Sequence, residues 1–420
     1  MIDQLVFSMV LVVSLIIFTK RILRLRRGLS LARPSKRNDQ KIKRWKTMAR
    51  VALGQGKMGT RPLAAFFHLI VYIGFVVINL EVIEILLDGL LGRHRILKGF
   101  MGFSYNPIMS IFEWLGVAVI IACIAFLIRR YNNGIKRFQH EDLKGWPQLD
   151  AHIILYVEII LMTALLTMNA AEEAAFKGAA PFFFAKIFSG LLAGFSTEHL
   201  HIIEKSAWWI HYIGILAFLN YLPYSKHFHI ILAFPNTWYS KLSKRGSILP
   251  MQAVTNEIKA MMDPSFVPDV SNNPKHFGAK DISDLHFVNL LNAYTCTECG
   301  RCTEECPANQ TGKLLSPRKI MMSTRDRVEK VLEDPSNDLS LLDNFITREE
   351  LWACTTCNAC VEACPLNIDP LDIIIQMRQY LVMEESSAPP SLNTMNTNIE
   401  NNGAPWAYPQ ADRGLWTKEN

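Results

Sequence analysis

The stretch "CTECGRCTEECP", residues 296–307, returns with the same spacing as "CTTCNACVEACP", residues 354–365. Each copy reads C-x2-C-x2-C-x3-C-P, and the two copies hold eight of the nine cysteines in the chain. Cysteines at such close and regular intervals in a reducing compartment favour metal ligation over disulfide formation. The two stretches therefore predict metal centres, and they predict that this part of the chain faces the cytoplasm.

The spacing is the one that binds two [4Fe-4S] clusters. Three cysteines on one tight loop reach three corners of a cluster, and the fourth, followed by a proline that fixes the backbone, points towards the other cluster. A pair of zinc sites is the alternative, but two complete four-cysteine sets, each followed by proline, are more specific than the C-x2-C pairs of zinc. We therefore expect one cluster on Cys296, Cys299, Cys302 and Cys364, and the other on Cys354, Cys357, Cys360 and Cys306.

The segment between the two cysteine stretches predicts helices and not a small β-rich ferredoxin. "SPRKIMMSTRDRVEKVLED", residues 316–334, carries apolar residues at helical spacing after a Ser-Pro start. "LSLLDNFITREELWAC", residues 339–354, predicts a second helix that runs into the next cysteines. We expect an α-helical two-cluster domain over residues 286–383.

The first half of the chain has the composition of a membrane domain. Half of all residues are hydrophobic and only 20% are charged, which suits a protein that is part membrane and part soluble. Residues 180–195 form a weaker apolar stretch, interrupted by Lys186, in which we expect a short helix at the membrane interface. Five longer stretches are candidate spanning helices: 4–18, 63–87, 108–128, 151–169 and 207–223.

The predicted fold class is therefore all-α, with a five-helix transmembrane bundle followed by the helical cluster domain. The remaining segments are polar: a proline-containing connector and a C-terminal tail rich in Ser, Asn and Pro, which we expect to be extended until a partner docks on it. The ninth cysteine, Cys123, lies in an apolar run and is expected to be a buried residue. The predicted divisions are 1–224 for the bundle, 225–285 for the connector, 286–383 for the cluster domain and 384–420 for the tail.

Charge predicts the orientation of the bundle. Residues 20–61 carry 15 Lys or Arg and one acidic residue, Asp39, and the loop 129–150 is also basic. The positive-inside rule then places the N-terminus outside, both basic loops inside and the chain after residue 224 in the cytoplasm, as expected for a multi-pass protein of the inner (cytoplasmic) membrane. A nucleic-acid surface is the rival interpretation of the basic run, but spanning helices flank it, so we expect lipid contact and no nucleic acid.

Two histidines predict a haem. His68 lies early in the second span, and His229 follows the fifth span at the same depth if that helix continues through Pro223. Histidines from separate helices at one depth can supply both axial ligands of a b-type haem. The alternative is that each is a hydrogen-bonded interior residue.

Other ionisable residues leave the membrane chemistry open. His211 lies nearer the outer face, where a second haem and a quinone site are both open interpretations. His152 and His227 compete as ligands of the inner haem. The carboxylates Glu81 and Glu84 could carry protons during quinol oxidation, or simply pair with a neighbouring helix.

The membrane half resembles the cytochrome b (gamma) subunit of respiratory nitrate reductase. It shares five spans, an outside N-terminus, "FH" at 67–68 and the stretch "IHY…PYSKHFH" between residues 210 and 229. That family holds two stacked haems on four histidines, and the resemblance places His68, His211 and His229 at three of these positions. Ile78 stands at the fourth, so the resemblance supports the inner haem and leaves the outer one with His211 but without its second ligand.

The cluster half resembles the two-cluster subunit of heterodisulfide reductases, including "TGKLLSPRKI" at 311–320. The fused arrangement is similar to membrane iron–sulfur oxidoreductases that exchange electrons between an electron-transfer flavoprotein and menaquinone. Those systems add a Cys-Cys-Gly domain, and neither that motif nor a GxGxxG fingerprint occurs here. The tail stretch "NNGAPWAYPQADRGLW", residues 401–416, looks like the segment preceding that domain. The resemblance thus implies a separate cytoplasmic subunit, with electron-transfer flavoprotein as a candidate partner.

Together these features predict a membrane subunit that relays electrons between a quinone pool, a b haem, two [4Fe-4S] clusters and a cytoplasmic catalytic partner. Two other classes stay open. A membrane redox sensor would use the clusters without quinone chemistry, and an ion-translocating subunit would depend on intramembrane carboxylates such as Glu81, Glu84 and Glu158.

Overall fold

The computed structural model describes residues 2–35, 37–132, 134–244, 246–248, 250–267 and 276–418. This part of the chain is helical and contains no β-strand, only two isolated β-bridges. The all-α prediction is therefore confirmed. The helices are α1 Ile2–Leu29, α2 Lys41–Met48, α3 Pro62–Leu91, α4 Ile96–Met101, α5 Tyr105–Tyr131, α6 Trp146–Ala175, α7 Phe183–Ser189, α8 Thr197–Tyr221, α9 His229–Trp238, α10 Gln252–Met262, α11 Phe287–Thr295, α12 Arg301–Glu304, α13 Pro307–Gln310, α14 Pro317–Glu333, α15 Leu341–Asn344, α16 Arg348–Ala353, α17 Ala359–Ala363, α18 Pro370–Met383 and α19 Pro390–Asn402.

Five apolar helical segments are long enough to cross a membrane. All five predicted spans are found, each longer than its apolar stretch because charged and aromatic residues extend the helix at its ends. The sixth stretch forms only a short helix, Phe183–Leu192, as expected. The spanning segments are Asp3–Leu29, Pro62–Leu91, Ile96–Tyr131, Trp146–Ala175 and Thr197–Tyr224.

The bundle packs around α6. This helix contacts α5, α7 and α8, while α3 packs on α5, and α1 packs on α3 and α8. Two glycines allow close approach: a Cβ on Gly74 would lie 2.5 Å from Val119, and one on Gly214 would lie 2.6 Å from Leu161. Cys123 is fully buried in this core, as predicted. Large apolar side chains of the outer helices point away from the bundle, as lipid-facing residues do.

The chain after the fifth span does not continue as one straight helix. α8 ends at Tyr221, two 3-10 turns follow at Leu222–Tyr224 and Lys226–Phe228, and α9 begins at His229. Pro223 explains the break because it cannot donate a backbone hydrogen bond within a continuing helix. The continuous helix assumed in the depth estimate for His229 is therefore wrong.

The cluster domain packs against one end of the bundle. α11 contacts α9, α14 and α18, and α1 contacts α11 and α14. Gly28 marks the closest passage, since a Cβ there would lie 2.9 Å from Val328. Arg21 pairs with Glu329 at 3.0 Å across the same junction. The bundle and the cluster domain thus share a buried interface.

Both basic loops lie on the side of the bundle that carries the cluster domain. In the first, the backbone of Arg33 exchanges hydrogen bonds of 2.8 Å with Leu285 and Phe287. In the second, Arg137 pairs with Glu304 at 2.9 Å. The positive-inside rule assigns both basic loops to one side of the membrane, and in the structure both loops lie on one face of the molecule. Many of their positive charges are used in contacts within the protein and not only towards lipid headgroups.

Two predictions about the C-terminal part need correction. The helix predicted over 339–354 is broken at Asp343, whose φ is +72°, and regular helix resumes only at α16, where Thr347 and Glu350 form a capping box. The tail predicted to be extended contains helix α19, which ends at Gly403 in the left-handed conformation. The Asn-rich sequence of α19 has low helix propensity, so its helical conformation could not be predicted from composition.

Candidate functional site

The two cysteine stretches fold into matching loops. Glu298 and Thr356 have φ of +54° and +57°, and Gly300 and Asn358 have φ of +75° and +64°, so equivalent positions adopt the same left-handed backbone. Each loop leaves a helix, α11 or α16, whose last residue precedes the first cysteine, and each enters a short helix, α12 or α17. These two short helices pack on one another. The repeated sequence therefore produces a repeated structure, with the two loops side by side.

One cavity gathers the cysteines predicted for the first cluster. It is lined by Cys296, Cys299, Cys302 and Cys364, and also by Cys360. Gly300 has no room for a side chain, because a Cβ would lie 2.5 Å from Arg318. Four thiols from two loops around one cavity are the donor set that a [4Fe-4S] cluster requires.

The second set is close to it. The thiol of Cys354 lies near enough to those of Cys306 and Cys357 for electrostatic interaction, and Cys360 interacts with Cys354 and Cys306 in the same way. Cys360 thus lies near both groups of thiols, and the two sites adjoin. Among the described residues, no three His, Cys, Asp or Glu side chains are grouped as a single metal ion would need. The sulfur donors fit iron–sulfur clusters, because the ligands of a cluster lie further apart than those of a single metal ion.

Burial keeps two of the cysteines at the first cluster site protonated when no metal is bound. It raises the pKa of Cys296 to about 12 and that of Cys364 to about 11. Only thiolates bind iron, so cluster assembly at these positions must release protons.

A buried ion pair links the first cysteine loop to the bundle. Lys226 Nζ donates to Glu298 Oε2 at 2.5 Å, and Arg325 lies 2.9 Å from the other oxygen of Glu298. Burial alone would raise the pKa of Glu298, but these two cations hold it below its ordinary value. Glu298 stands between Cys296 and Cys299, so its fixed charge lies beside the first cluster site.

The histidines His68 and His229 face one another at the junction. Their ring centres are 6.3 Å apart. When two histidines bind one metal ion from opposite sides, each metal–nitrogen bond is about 2 Å long and the centre of each ring lies roughly 1 Å beyond its nitrogen. The two ring centres are then about 6 Å apart. The separation therefore fits an iron atom between the two imidazoles.

Hydrogen bonds fix the tautomer of both rings. His68 Nδ1 is 3.0 Å from Gln55 Oε1, and His229 Nδ1 is 3.1 Å from the backbone carbonyl of Lys226. Both partners are acceptors, so both Nδ1 atoms donate and both Nε2 atoms keep a free lone pair. Burial lowers the pKa of His229, so this ring is neutral near pH 7, as a metal ligand must be. His68 and His229 are therefore the residues that would hold a haem, each through its Nε2.

Two alternative histidines have different surroundings. The ring of His227 lies 5.7 Å from that of His229 and contacts the rings of Phe75 and Phe218. His152 instead stacks on Tyr131, with ring centres 5.1 Å apart, and its buried Nε2 has no partner among the described residues. His227 therefore adjoins the candidate haem site, whereas the ring contacts of His152 are with other residues.

His211 lies in a second cavity inside the bundle. This cavity has a volume of about 110 Å³ and also includes Ile78 and Glu158 in its lining. His211 Nδ1 donates to the backbone carbonyl of Leu161 at 2.8 Å. The structure thus brings His211 and Ile78 together, and neither His68 nor His229 lines this cavity.

Sequence reasoning missed three residues at the site: Gln55, Lys226 and Glu298. Gln55 follows a π-helical turn, Ala49–Leu53, and has φ of +49°, which no sequence signal predicts. Lys226 could have been noticed as a lone cation in an apolar run. Its partner Glu298 is 72 residues away and emerges only from the fold.

The comparisons with known proteins agree with this arrangement. Residues 295–368 match the family described as 4Fe-4S dicluster domain. A probable iron-sulfur-binding oxidoreductase, FadF, of Bacillus subtilis is 27% identical over 87% of this chain and 54% of its own length. The EtfAB:quinone oxidoreductase of Syntrophomonas wolfei is 25% identical over 91% of this chain and 55% of its own length. The chain spans about half the length of these curated relatives.

The cluster domain has relatives of its own. One subunit of a ferredoxin/F(420)H(2)-dependent CoB-CoM heterodisulfide reductase from Methanosarcina acetivorans is 35% identical over 22% of this chain and 49% of its own length. No solved structure matches the chain significantly. The protein is therefore a membrane protein homologous to FadF-like iron–sulfur oxidoreductases, to EtfAB:quinone oxidoreductase and to a heterodisulfide reductase subunit, and these relatives support an iron–sulfur electron-transfer role.

Proposed function

We propose that the protein is a membrane electron-transfer subunit linking a quinone pool, one b haem on His68 and His229, and two [4Fe-4S] clusters. The observation that carries the proposal is the facing pair of imidazoles, with ring centres 6.3 Å apart and both Nδ1 atoms engaged. When bound, the haem and the clusters supply one-electron redox chemistry. The chain supplies their positions and the charges around them.

The redox sites follow one another along a short path. Lys226 accepts the hydrogen bond from His229 with its backbone and donates with its side chain to Glu298 of the first cysteine loop. Arg301 of the same loop lies near enough to His68 for electrostatic interaction. The first cluster site adjoins the second through Cys360. This order supports relay from the haem to the cluster on Cys296, Cys299, Cys302 and Cys364, and then to the cluster on Cys354, Cys357, Cys360 and Cys306.

We place the protein in the inner membrane with the cluster domain in the cytoplasm. Both basic loops contact the cluster domain, as the Arg33 and Arg137 hydrogen bonds illustrate. Because Lys- and Arg-rich loops stay on the cytoplasmic side, the same side holds the clusters. The N-terminus is then outside.

We propose a cytoplasmic partner that donates electrons to the clusters or accepts them, making the assembly a quinone-linked oxidoreductase. One relative is named as an EtfAB:quinone oxidoreductase and another as a heterodisulfide reductase subunit. An electron-transfer flavoprotein and a separate Cys-Cys-Gly subunit are accordingly the partners to test. The tail exposes Trp406 and Trp416, with 61% and 76% of their surfaces accessible, as a docking surface.

Visible and EPR spectra of the purified protein, with and without a menaquinol analogue, test the proposal. We expect b-type absorbance equal to one haem per chain, two cluster signals, and reduction of the haem by the quinol. Intact clusters without b-type absorbance would contradict the haem site. A haem that no quinol reduces would contradict the relay.

A further inference from the structure

The cavity around His211 has the features of a ligand site within the bundle. It lies between α3, α5, α6 and α8 and is mostly apolar, with polar atoms contributed by Asn79, Glu158 and His211. We propose that this cavity binds the ring of a quinol, whose two hydroxyls donate to His211 Nε2 and to the Glu158 carboxylate. The inference rests on the quinone exchange proposed above and assigns a site to it.

The two polar residues are both open to a ligand. His211 is 1% exposed, and its Nδ1 donates to Leu161, so its Nε2 carries a free lone pair. Glu158 is 7% exposed, and its carboxyl makes no hydrogen bond or ion pair with any other described residue. A buried polar group without a partner is costly. The two hydroxyls of a quinol in the cavity would satisfy both side chains by donating to His211 Nε2 and to the Glu158 carboxylate.

The size of the cavity separates a quinone ring from a second haem. An apolar cavity of about 150 Å³ holds one benzene molecule. The volume here, about 110 Å³, is smaller than that, so a single ring enters only as the surrounding side chains shift outward, and the cavity is far too small for a porphyrin. Ile78 lines the same cavity and offers no second axial ligand. Of the two interpretations that the sequence leaves open for His211, the cavity therefore favours the quinone.

The cavity also adjoins the candidate haem ligands. Phe75 and Phe218 line it, and their rings lie 6.5 Å and 5.5 Å from that of His227, which neighbours His229. When a quinol in the cavity is oxidised, both O–H bonds break and both ring C–O bonds become carbonyls. One proton would pass to His211 Nε2 and one to the Glu158 carboxylate, and a haem held by His68 and His229 would accept the two electrons one at a time. Reduction of a quinone is the same step in reverse.

Binding of tetramethyl-1,4-benzoquinol (duroquinol), a single-ring quinol, to the pre-reduced full-length holoprotein under anaerobic conditions tests the site, with calorimetric titration as the measurement. We expect His211→Leu and Glu158→Leu each to weaken binding about tenfold, the effect of one lost buried hydrogen bond. Glu81→Leu is the matched control, because it removes an equally buried carboxyl that does not line the cavity. Its affinity should stay within about twofold of the wild type.

A variant that reduces the size of the cavity keeps the test valid if the His211 or Glu158 variant fails to fold. Ile78→Phe fills the cavity and leaves both polar groups in place, so it should also weaken binding at least about tenfold while the wild-type haem spectrum persists. Normal binding by all three cavity variants would contradict the proposed site but not the proposed exchange of electrons with quinone. Two haems per wild-type chain would have the same consequence. Failure of the wild-type protein both to bind duroquinol and to be reduced by any quinol would instead contradict the proposed function.

Discussion

Lys226 joins the membrane bundle to the first cysteine loop through a buried hydrogen bond of 2.5 Å from its Nζ to Glu298 Oε2. Its side chain is 8% exposed and that of Glu298 is 2% exposed. The backbone carbonyl of the same lysine accepts the hydrogen bond from His229. One residue thus fixes both the orientation of a candidate haem ligand and the charge beside a cluster site.

Removing one partner of this pair should destabilise the junction. Lys226→Met leaves Glu298 with Arg325 alone, and breaking a buried ion pair from one side costs about 3–5 kcal/mol. We expect a lower thermal midpoint and partial loss of the first cluster, measured by thermal unfolding and by iron content. In the double variant Lys226→Met, Glu298→Gln the carboxylate charge is also gone, so part of the stability should return. Purely additive losses would show that the two residues are not coupled.

The crossed ligand sets predict which cysteines share a cluster. Cys364→Ser and Cys299→Ser should abolish the same EPR signal, since both thiols line the first cavity. Cys306→Ser and Cys357→Ser should abolish the other signal, since both interact with Cys354. Loss of the same signal in Cys364→Ser and Cys357→Ser would show instead that each stretch binds its own cluster without exchange.

Gln55 should tune the haem through His68. Its Oε1 accepts the hydrogen bond from His68 Nδ1 at 3.0 Å, and loss of such an outer partner typically costs about 10–100-fold in metal affinity. We expect Gln55→Met to release haem more readily. Gln55→Glu should retain the haem but lower its midpoint potential, because the carboxylate makes the imidazole a stronger donor. Potentiometric titration of the b-type absorbance measures both effects, and equal potentials in Gln55→Glu and the wild type would contradict the contact.

Acid should loosen the cluster domain from the bundle. Burial alone would raise the pKa of both Glu298 and Asp142. Lys226 and Arg325 instead hold the pKa of Glu298 below its ordinary value of 4.5. Arg318 likewise holds the pKa of Asp142 below its ordinary value of 3.8. Groups with a lowered folded pKa stabilise the fold above their unfolded pKa, and this stability is lost as the pH falls through the folded pKa. Limited proteolysis of the full chain should therefore show docking unchanged between about pH 8 and about pH 5 and weakened below about pH 4. Weakening that begins above about pH 6 would point to other groups.

The sequence predicts the local elements of this protein better than its junction. Helix α14 is confirmed, with Ser316 accepting a hydrogen bond from the backbone of Lys319, because capping and apolar periodicity are local signals. The pairing of Lys226 with Glu298 and the hydrogen bond of Gln55 depend on segments that only the fold brings together. The sequence identifies Glu158 as an intramembrane carboxylate, but its position beside His211 could not be predicted from spacing along the chain.

Haem content of single histidine variants tests the central proposal most directly. The three rings of His68, His227 and His229 lie together, yet only His68 and His229 have Nδ1 hydrogen bonds that leave Nε2 for iron. In the purified protein, His68→Ala and His229→Ala should each lose the b-type absorbance while both clusters remain, and His227→Ala should retain it. Full haem content in His68→Ala or His229→Ala would contradict the assignment.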